Sequence, residues 1–263
     1  MLMDPVQDTI IGVEKVSAGY KNTIVLQNVS FEVKRGEIFI ILGESGSGKT
    51  TLLKLMIGLN KPLSGSIFIE GQDIVSAEGD ERLAILKKFG VMYQRGALFG
   101  SMTLLENVRL PLEEFTDLPP EAMDLIARMK LSLVGLKEFG GLLPAELSGG
   151  MQKRAAIARA MSLDPRILFL DELSAGLDPV TSAELDHLVL SLAHNLGITF
   201  VIVTHELSSI YAIADRVIML GKDLKGILAI GSPRDLRDHS ENEYVRRFFN
   251  RQGISDALSE NFS

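Results

Sequence analysis

The chain has 263 residues, 46% hydrophobic and 23% charged, which suits one large domain or two modest ones with a sizeable core. Its formal charge of −7 provides no broad basic face for nucleic acid, and the absence of cysteine excludes disulfides, thiolate metal sites and a cysteine nucleophile. No apolar run approaches the roughly 20 residues of a membrane helix and Met1-Leu2-Met3-Asp4-Pro5 lacks the plan of a signal peptide, so any membrane role is expected to come through a partner.

In chain order, residues 9–16, 23–26 and 29–33 read as antiparallel strands, with turn chemistry at Gly19 and at Lys21-Asn22. Tyr20 lies on that turn, where an aromatic suits either edge packing or stacking on a purine. Residues 37–42 form an apolar, β-branched run of strand length. Gly43-Glu44-Ser45-Gly46-Ser47-Gly48-Lys49-Thr50-Thr51 follows, and residues 51–57 read as a helix. The nine-residue stretch fits G-x-x-x-x-G-K-[ST] between a strand and a helix, the context a phosphate-binding loop requires. Glycines let the backbone approach an anion, successive N–H groups form a concave nest, and the helix N-terminus adds partial positive charge. Lys49 can reach the β and γ phosphates of a bound triphosphate, and the Thr50 hydroxyl can ligate Mg²⁺.

Residues 65–71 read as another strand, 80–88 as a helix and 90–94 as a buried strand ending in Gln94. Residues 95–115 show no clean period; Gly96-Ala97-Leu98-Phe99-Gly100 is apolar, and Pro111 is expected to stop any helix. That stretch suits a docking surface or a loop folded onto its own core. Residues 120–137 read as a helix with Leu125, Ile126, Met129, Leu133 and Leu136 as its stripe. Ser148, with Gly149 and Gly150 before an alanine-rich helix, is a Ser N-cap or a second anion-binding helix terminus. Residues 166–172 are apolar throughout until Asp171 and Glu172, as in a covered parallel strand whose carboxyl end meets a ligand. Two adjacent carboxylates there are costly unless they serve a cation or a proton transfer, the alternative being a solvated strand end. Asp178-Pro179 opens a helix striped by Leu185, Leu188, Val189, Leu192 and Leu196. Residues 198–203 are a further buried strand, followed by His205, either structural or a phosphate contact. Residues 216–220 and 226–230 read as a hairpin. Tyr244, Val245, Phe248 and Phe249 suggest a short docking helix, and the final residues read as frayed.

Taken in order, the phosphate loop, Gln94, Leu147-Ser148-Gly149-Gly150, Leu168-Phe169-Leu170-Asp171-Glu172, Leu177-Asp178-Pro179 and His205 resemble the ATP-binding-cassette ATPases over roughly residues 9–235. The resemblance implies an α/β P-loop NTPase fold of the ABC-ATPase type. It has a mainly parallel sheet core, an N-terminal antiparallel β-subdomain and a helical subdomain at about residues 95–163, with residues 1–235 as the ATPase domain and 236–263 as a tail. It implies a head-to-tail homodimer closed over two ATP molecules. Tyr20 would stack on adenine; Gly43, Ser45, Gly46, Ser47, Gly48, Lys49, Thr50 and Thr51 would hold the phosphates. Thr50, Gln94 and Asp171 would hold Mg²⁺, Glu172 would be the general base, and His205 would contact the γ-phosphate. Ser148, Gly149 and Gly150 would close over the nucleotide of the other subunit, with Asp178 at the seam. Met151 and Leu173 depart from the family pattern, where glutamine and proline are usual.

Residues 96–99 and 106–112, with Met151 and Arg154-Ala155-Ala156, resemble the lipid-trafficking branch called Mla or Mkl-type. That branch implies an integral-membrane permease facing residues 95–113, an MCE-domain lipid-binding protein, and phospholipid movement between two membranes from the cytoplasmic face of the inner one. Whether the tail meets a small regulatory subunit or the dimer mate stays open. An importer subunit for another solute, a soluble ABC ATPase acting on DNA or ribosomes, and a silent regulatory cassette are the alternatives. The acidic charge and the lack of a second cassette or a coiled-coil insertion disfavour the soluble ATPase. The intact Lys49, Asp171, Glu172 and His205 disfavour the silent cassette.

Overall fold

The computed structural model describes residues 8–250 apart from Asn22 and Arg95; the expectations for the first and final residues fall outside these. Strands β1 (Thr9–Tyr20) and β2 (Thr23–Lys34) pair antiparallel. The three strands expected over residues 9–33 are thus two. The chain passes Lys15 and Asn28 as bulges with φ of 48° and 52° rather than ending a strand there. Their amides find hydroxyl partners instead: Lys15 N–H donates to Ser30 Oγ at 2.8 Å and Asn28 N–H to Ser17 Oγ at 3.0 Å.

Strand β3 (Ile38–Gly43) leads into helix α1 (Lys49–Met56). Strands β4 (Ser64–Ile69) and β5 (Gln72–Asp73) complete a four-stranded sheet in the order β2-β1-β4-β5. Helix α2 (Gly79–Leu86) and strand β6 (Phe89–Met92) follow, then helices α3 (Leu104–Phe115), α4 (Pro120–Leu133) and α5 (Gly149–Ala160). The chain returns through β7 (Ile167–Asp171), α6 (Pro179–Leu196), β8 (Thr199–Val203), α7 (Leu207–Ile213), β9 (Arg216–Gly221) and β10 (Gly226–Gly231), and ends in α8 (Pro233–His239) and α9 (Glu243–Phe249). The second sheet has the order β10-β9-β3-β8-β7-β6, parallel except for β10.

The alternation of side chains along β3 divides the interior. Phe39 and Ile41 enter the core shared with the antiparallel sheet, where Phe39 stacks on Phe31 at 5.4 Å. Ile38, Ile40 and Leu42 enter the core under the helices. Burial on both faces explains why β3, β7 and β8 read as unbroken apolar runs.

Two expectations fail in the helical region. Pro111 lies inside α3 and does not end it. A capping box at Thr103 and Glu106, with Leu104, Val108 and Leu112 buried, sustains the helix across the missing amide. In α4 the buried face is Met123, Ala127 and Leu131, while Leu125 and Met129 are 62% and 59% exposed. The helix is apolar on both sides, so periodicity alone selects no face. Met129 and Leu133 line an apolar recess of about 660 Å³ that contains no phosphate-loop residue. The hairpin at 216–230 and the terminal helix with Val245 and Phe249 buried are as expected.

Candidate nucleotide site

Strands β3, β8, β7 and β6 end along one edge of the parallel sheet, and the segments leaving β3, β7 and β6 line a polar recess of about 490 Å³. It is lined by Val25, Ser45, Gly46, Gly48, Lys49, Thr50, Thr51, Gln94, Asp171 and Glu172. The loop's curvature requires glycine at both ends. Gly43 has φ of +150°, and a Cβ there would fall 2.5 Å from Leu220 O; at Gly48, φ is +100° and a Cβ would fall 2.7 Å from Leu26. No side chain caps α1, so its first amides stay available to an anion. Ser47 Oγ is buried without a hydrogen-bond partner, an orphaned polar atom inside the cradle. Lys49 Nζ donates to Gly43 O at 2.7 Å and Glu44 O at 3.0 Å, folded back over the loop. Burial lowers its pKa, opposed by Glu172 and Asp171.

The carboxylates stand opposite. Burial, then repulsion from Glu172, raises the Asp171 pKa, opposed by Lys153, Lys54 and Lys49. Glu172 takes φ of +51°, uncommon for a side chain of its size. Its amide donates to Val203 O at 2.8 Å. His205 Nδ1 lies 3.1 Å from both carboxylate oxygens, hydrogen-bonded to Oε1, while Oε2 is buried and makes no hydrogen bond. Among the described residues no cluster of three or more His, Asp or Glu could hold a metal. The oxygen donors present, on Thr50, Gln94 and Asp171, fit a hard cation that keeps waters and phosphate oxygens in its shell.

The other expected residues lie elsewhere. Tyr20, 51% exposed, lines a recess with Thr51, Leu55 and Asn60; its hydroxyl is 3.4 Å from Thr51 Oγ1. Ser148 caps α5, accepting from Met151 N–H at 3.3 Å, and with Gly150 lines a separate recess beside Thr181 and Glu184. Gly149 adjoins Leu177. Asp178 caps α6 through Val180 and Thr181. Ser148 and Gly150 are thus not brought to the phosphate loop of their own chain.

Two residues escaped the sequence reading. Lys153 is 7% exposed, and its ammonium donates to the backbone carbonyls of Gln94 and, at 3.1 Å, Glu172. Buried Asn107 holds the loop before α3: Oδ1 accepts from Phe99 N–H at 2.8 Å, and Nδ2 donates to Phe99 O, Met102 O and Thr103 O at 3.0–3.1 Å. Phe99 is left 52% exposed, and Leu98 packs partly against the core. A polar Asn before a proline-containing segment carries no periodic signal, and a lysine in a helix normally reads as solvated.

A glycine cradle between a buried strand and a helix, facing paired carboxylates at the end of a parallel strand two places along the same sheet, defines a P-loop nucleoside triphosphatase. The chain belongs to the ABC transporter family, whose model matches residues 26–175, and is one of its ATP-hydrolysing cassettes. It is 38% identical over 244 residues, 93% of this chain and 70% of the relative, to the probable ribonucleotide transport ATP-binding protein mkl of Mycobacterium leprae (strain TN). It is also 38% identical over 247 residues, 94% of this chain and 90% of the relative, to the intermembrane phospholipid transport system ATP-binding protein MlaF of Escherichia coli (strain K12). Among solved structures, the dimeric post-hydrolysis state of the ATP-binding cassette MJ0796 bound to ADP and Pi matches with a TM-score of 0.76 and 32% identity, covering 84% of this chain and 98% of that one.

Proposed function

We propose that this chain is the ATPase subunit of a phospholipid transporter, working as a homodimer on the cytoplasmic face of an inner membrane under a permease and an MCE-domain lipid-binding protein. The observation that carries the reading is the likeness to MlaF along 90% of that protein's length, against 70% for mkl, whose name gives another cargo. Among the described residues no helix is long and apolar enough to cross a membrane, so transport requires a membrane partner. The exposed Phe99 on a loop shaped by Asn107 offers that partner a preformed apolar contact.

In the proposed cycle the amides at the start of α1 and Lys49 grip the triphosphate, and Tyr20 supports the base. Thr50, Gln94 and Asp171 would hold Mg²⁺, which would neutralise charge on the phosphates. Glu172 accepts the proton of the attacking water, and His205 keeps the carboxylate turned toward the γ-phosphate. The placement of Glu172 in the recess beside Lys49 and Asp171, with His205 against its carboxylate, supports this role. Ser148, Gly149, Gly150 and Asp178 act on the nucleotide of the second copy; their separation from the phosphate loop supports an arrangement completed by dimerisation.

Affinity purification from membranes, with identification of the co-purifying chains, tests the reading. An MCE-domain protein and a permease are expected; a periplasmic amino-acid-binding protein in their place would redirect the cargo assignment.

A further inference from the structure

Lys153 does not line the nucleotide recess, yet it touches both loops that act there. It lies on α5, the helix capped by Ser148, with its side chain buried. Its ammonium bridges the carbonyl of Gln94, which follows β6, and the carbonyl of Glu172, which follows β7. Burying an ammonium is costly unless polar partners replace water, and these two carbonyls are the partners. The same helix grips the Gln94 loop further along: Arg159 donates to Ala97 O at 2.8 Å and Gly96 O at 3.2 Å. Its far end rests on β6 so closely that a Cβ on Gly90 would fall 1.9 Å from Ala160 O. Helix α5, the Gln94 loop and the Glu172 backbone are therefore joined at several points, and among the described residues it is Lys153 whose hydrogen bonds span all three.

We propose that Lys153 is a positioning residue for hydrolysis: it holds the left-handed backbone turn of Glu172 in register with Gln94. It thereby carries engagement of the α5 N-terminus by the second copy's nucleotide to the general base of its own subunit. The inference rests on the reading of Glu172 as the base. It assigns Lys153 no contact with nucleotide. The substitution Lys153→Met keeps the aliphatic stem and removes the strut, so turnover falls while the phosphate cradle, built by other residues, still binds.

The test is a double-mutant cycle on the full chain in its transporter complex, with Lys153→Met, Glu172→Gln and both together, alongside Lys153→Arg and Lys153→Gln. The readouts are kcat, KM, equilibrium binding of MgATP and the melting temperature. Lys153→Met is expected to lower kcat by about 10–100-fold, as loss of an outer-shell partner does, with KM and MgATP affinity within about threefold. Lys153→Arg, which retains charge and donors, is expected to recover part of kcat. In the Glu172→Gln background the Lys153 change is expected to cost less than about twofold, because a group acting through another has nothing left to position. Unchanged kcat in Lys153→Met overturns the proposal, as does a full additive loss in the double variant or an equal fall in binding and kcat. If Lys153→Met does not fold, the cycle is read with Lys153→Gln by the same criteria. Turnover that survives Glu172→Gln sinks the base assignment instead, so the two failures are distinguishable.

Discussion

Glu172→Gln probes the chemistry with the least disturbance of structure. The residue sits at φ of +51°, its amide bonded to Val203 O and its carbonyl to Lys153. Glutamine has the same length and no better claim on the left-handed region, so neither fold nor turn should change. What changes is the carboxylate, whose Oε2 is buried and makes no hydrogen bond; an amide there cannot take a proton from water. Loss of a general base costs about 10²–10⁴ in rate, and at about 1.36 kcal/mol per decade that is roughly 2.7–5.5 kcal/mol of barrier. The upper part of that range is expected, because no second carboxylate except Asp171, committed to the cation on the proposed reading, lies in the recess. Binding should hold or tighten: one negative charge facing the triphosphate is gone. The assay is phosphate release under single-turnover conditions beside equilibrium binding of MgATP. Turnover within about threefold of the parent, far outside the range for a lost base, would falsify the assignment.

Three further outcomes are expected. Lys49→Ala removes the ammonium now resting on Gly43 O and Glu44 O; MgATP affinity should drop by about 1.5–3 kcal/mol, the worth of a charged hydrogen bond, and calorimetry showing parental affinity would remove the phosphate-loop reading. Phe99→Asp, with Leu98→Asp as a companion that also disturbs packing, should release the co-expressed permease while Phe99→Asp keeps its melting temperature; undiminished co-purification counts against docking there. Tyr244 donates to Glu44, and its hydroxyl pKa is pushed up from 10.0 to about 12, by burial and then by that bond. A raised pKa favours the protonated folded form, so this support for α9 is present below pH 10 and lost as pH rises through 12. Ultraviolet titration should show one phenol ionising near 12 that disappears in Tyr244→Phe; no difference between the two titrations would refute the Tyr244–Glu44 bond.

The parts of the fold legible in the sequence are those written in neighbouring residues. Gly43 through Thr51 spells a backbone shape and a charge within a single loop; Ser148 and Asp178-Pro179 spell helix starts; the runs at 38–42, 167–170 and 199–203 spell strands covered on both sides. Where the deciding partner is distant, the sequence was mute. The carbonyls held by Lys153 lie 59 and 19 residues away. Pro111 reads as a stop by local rules, but the helix is kept by a capping box and by burial. Helix α4 is apolar on both sides, so only tertiary packing selected Met123, Ala127 and Leu131. The bulges at Lys15 and Asn28 depend on serines in the partner strand.

Asn107 has a consequence for association. A single amide buried under the segment from Phe99 to Thr103 holds its shape before anything arrives. Ordering a free loop costs on the order of 1–2 kcal/mol of conformational entropy per residue, and here that cost falls on folding rather than on assembly. On the proposed reading, the aromatic ring at 99 would meet the permease from a backbone already set in place, so that a small contact area could hold two large bodies in step.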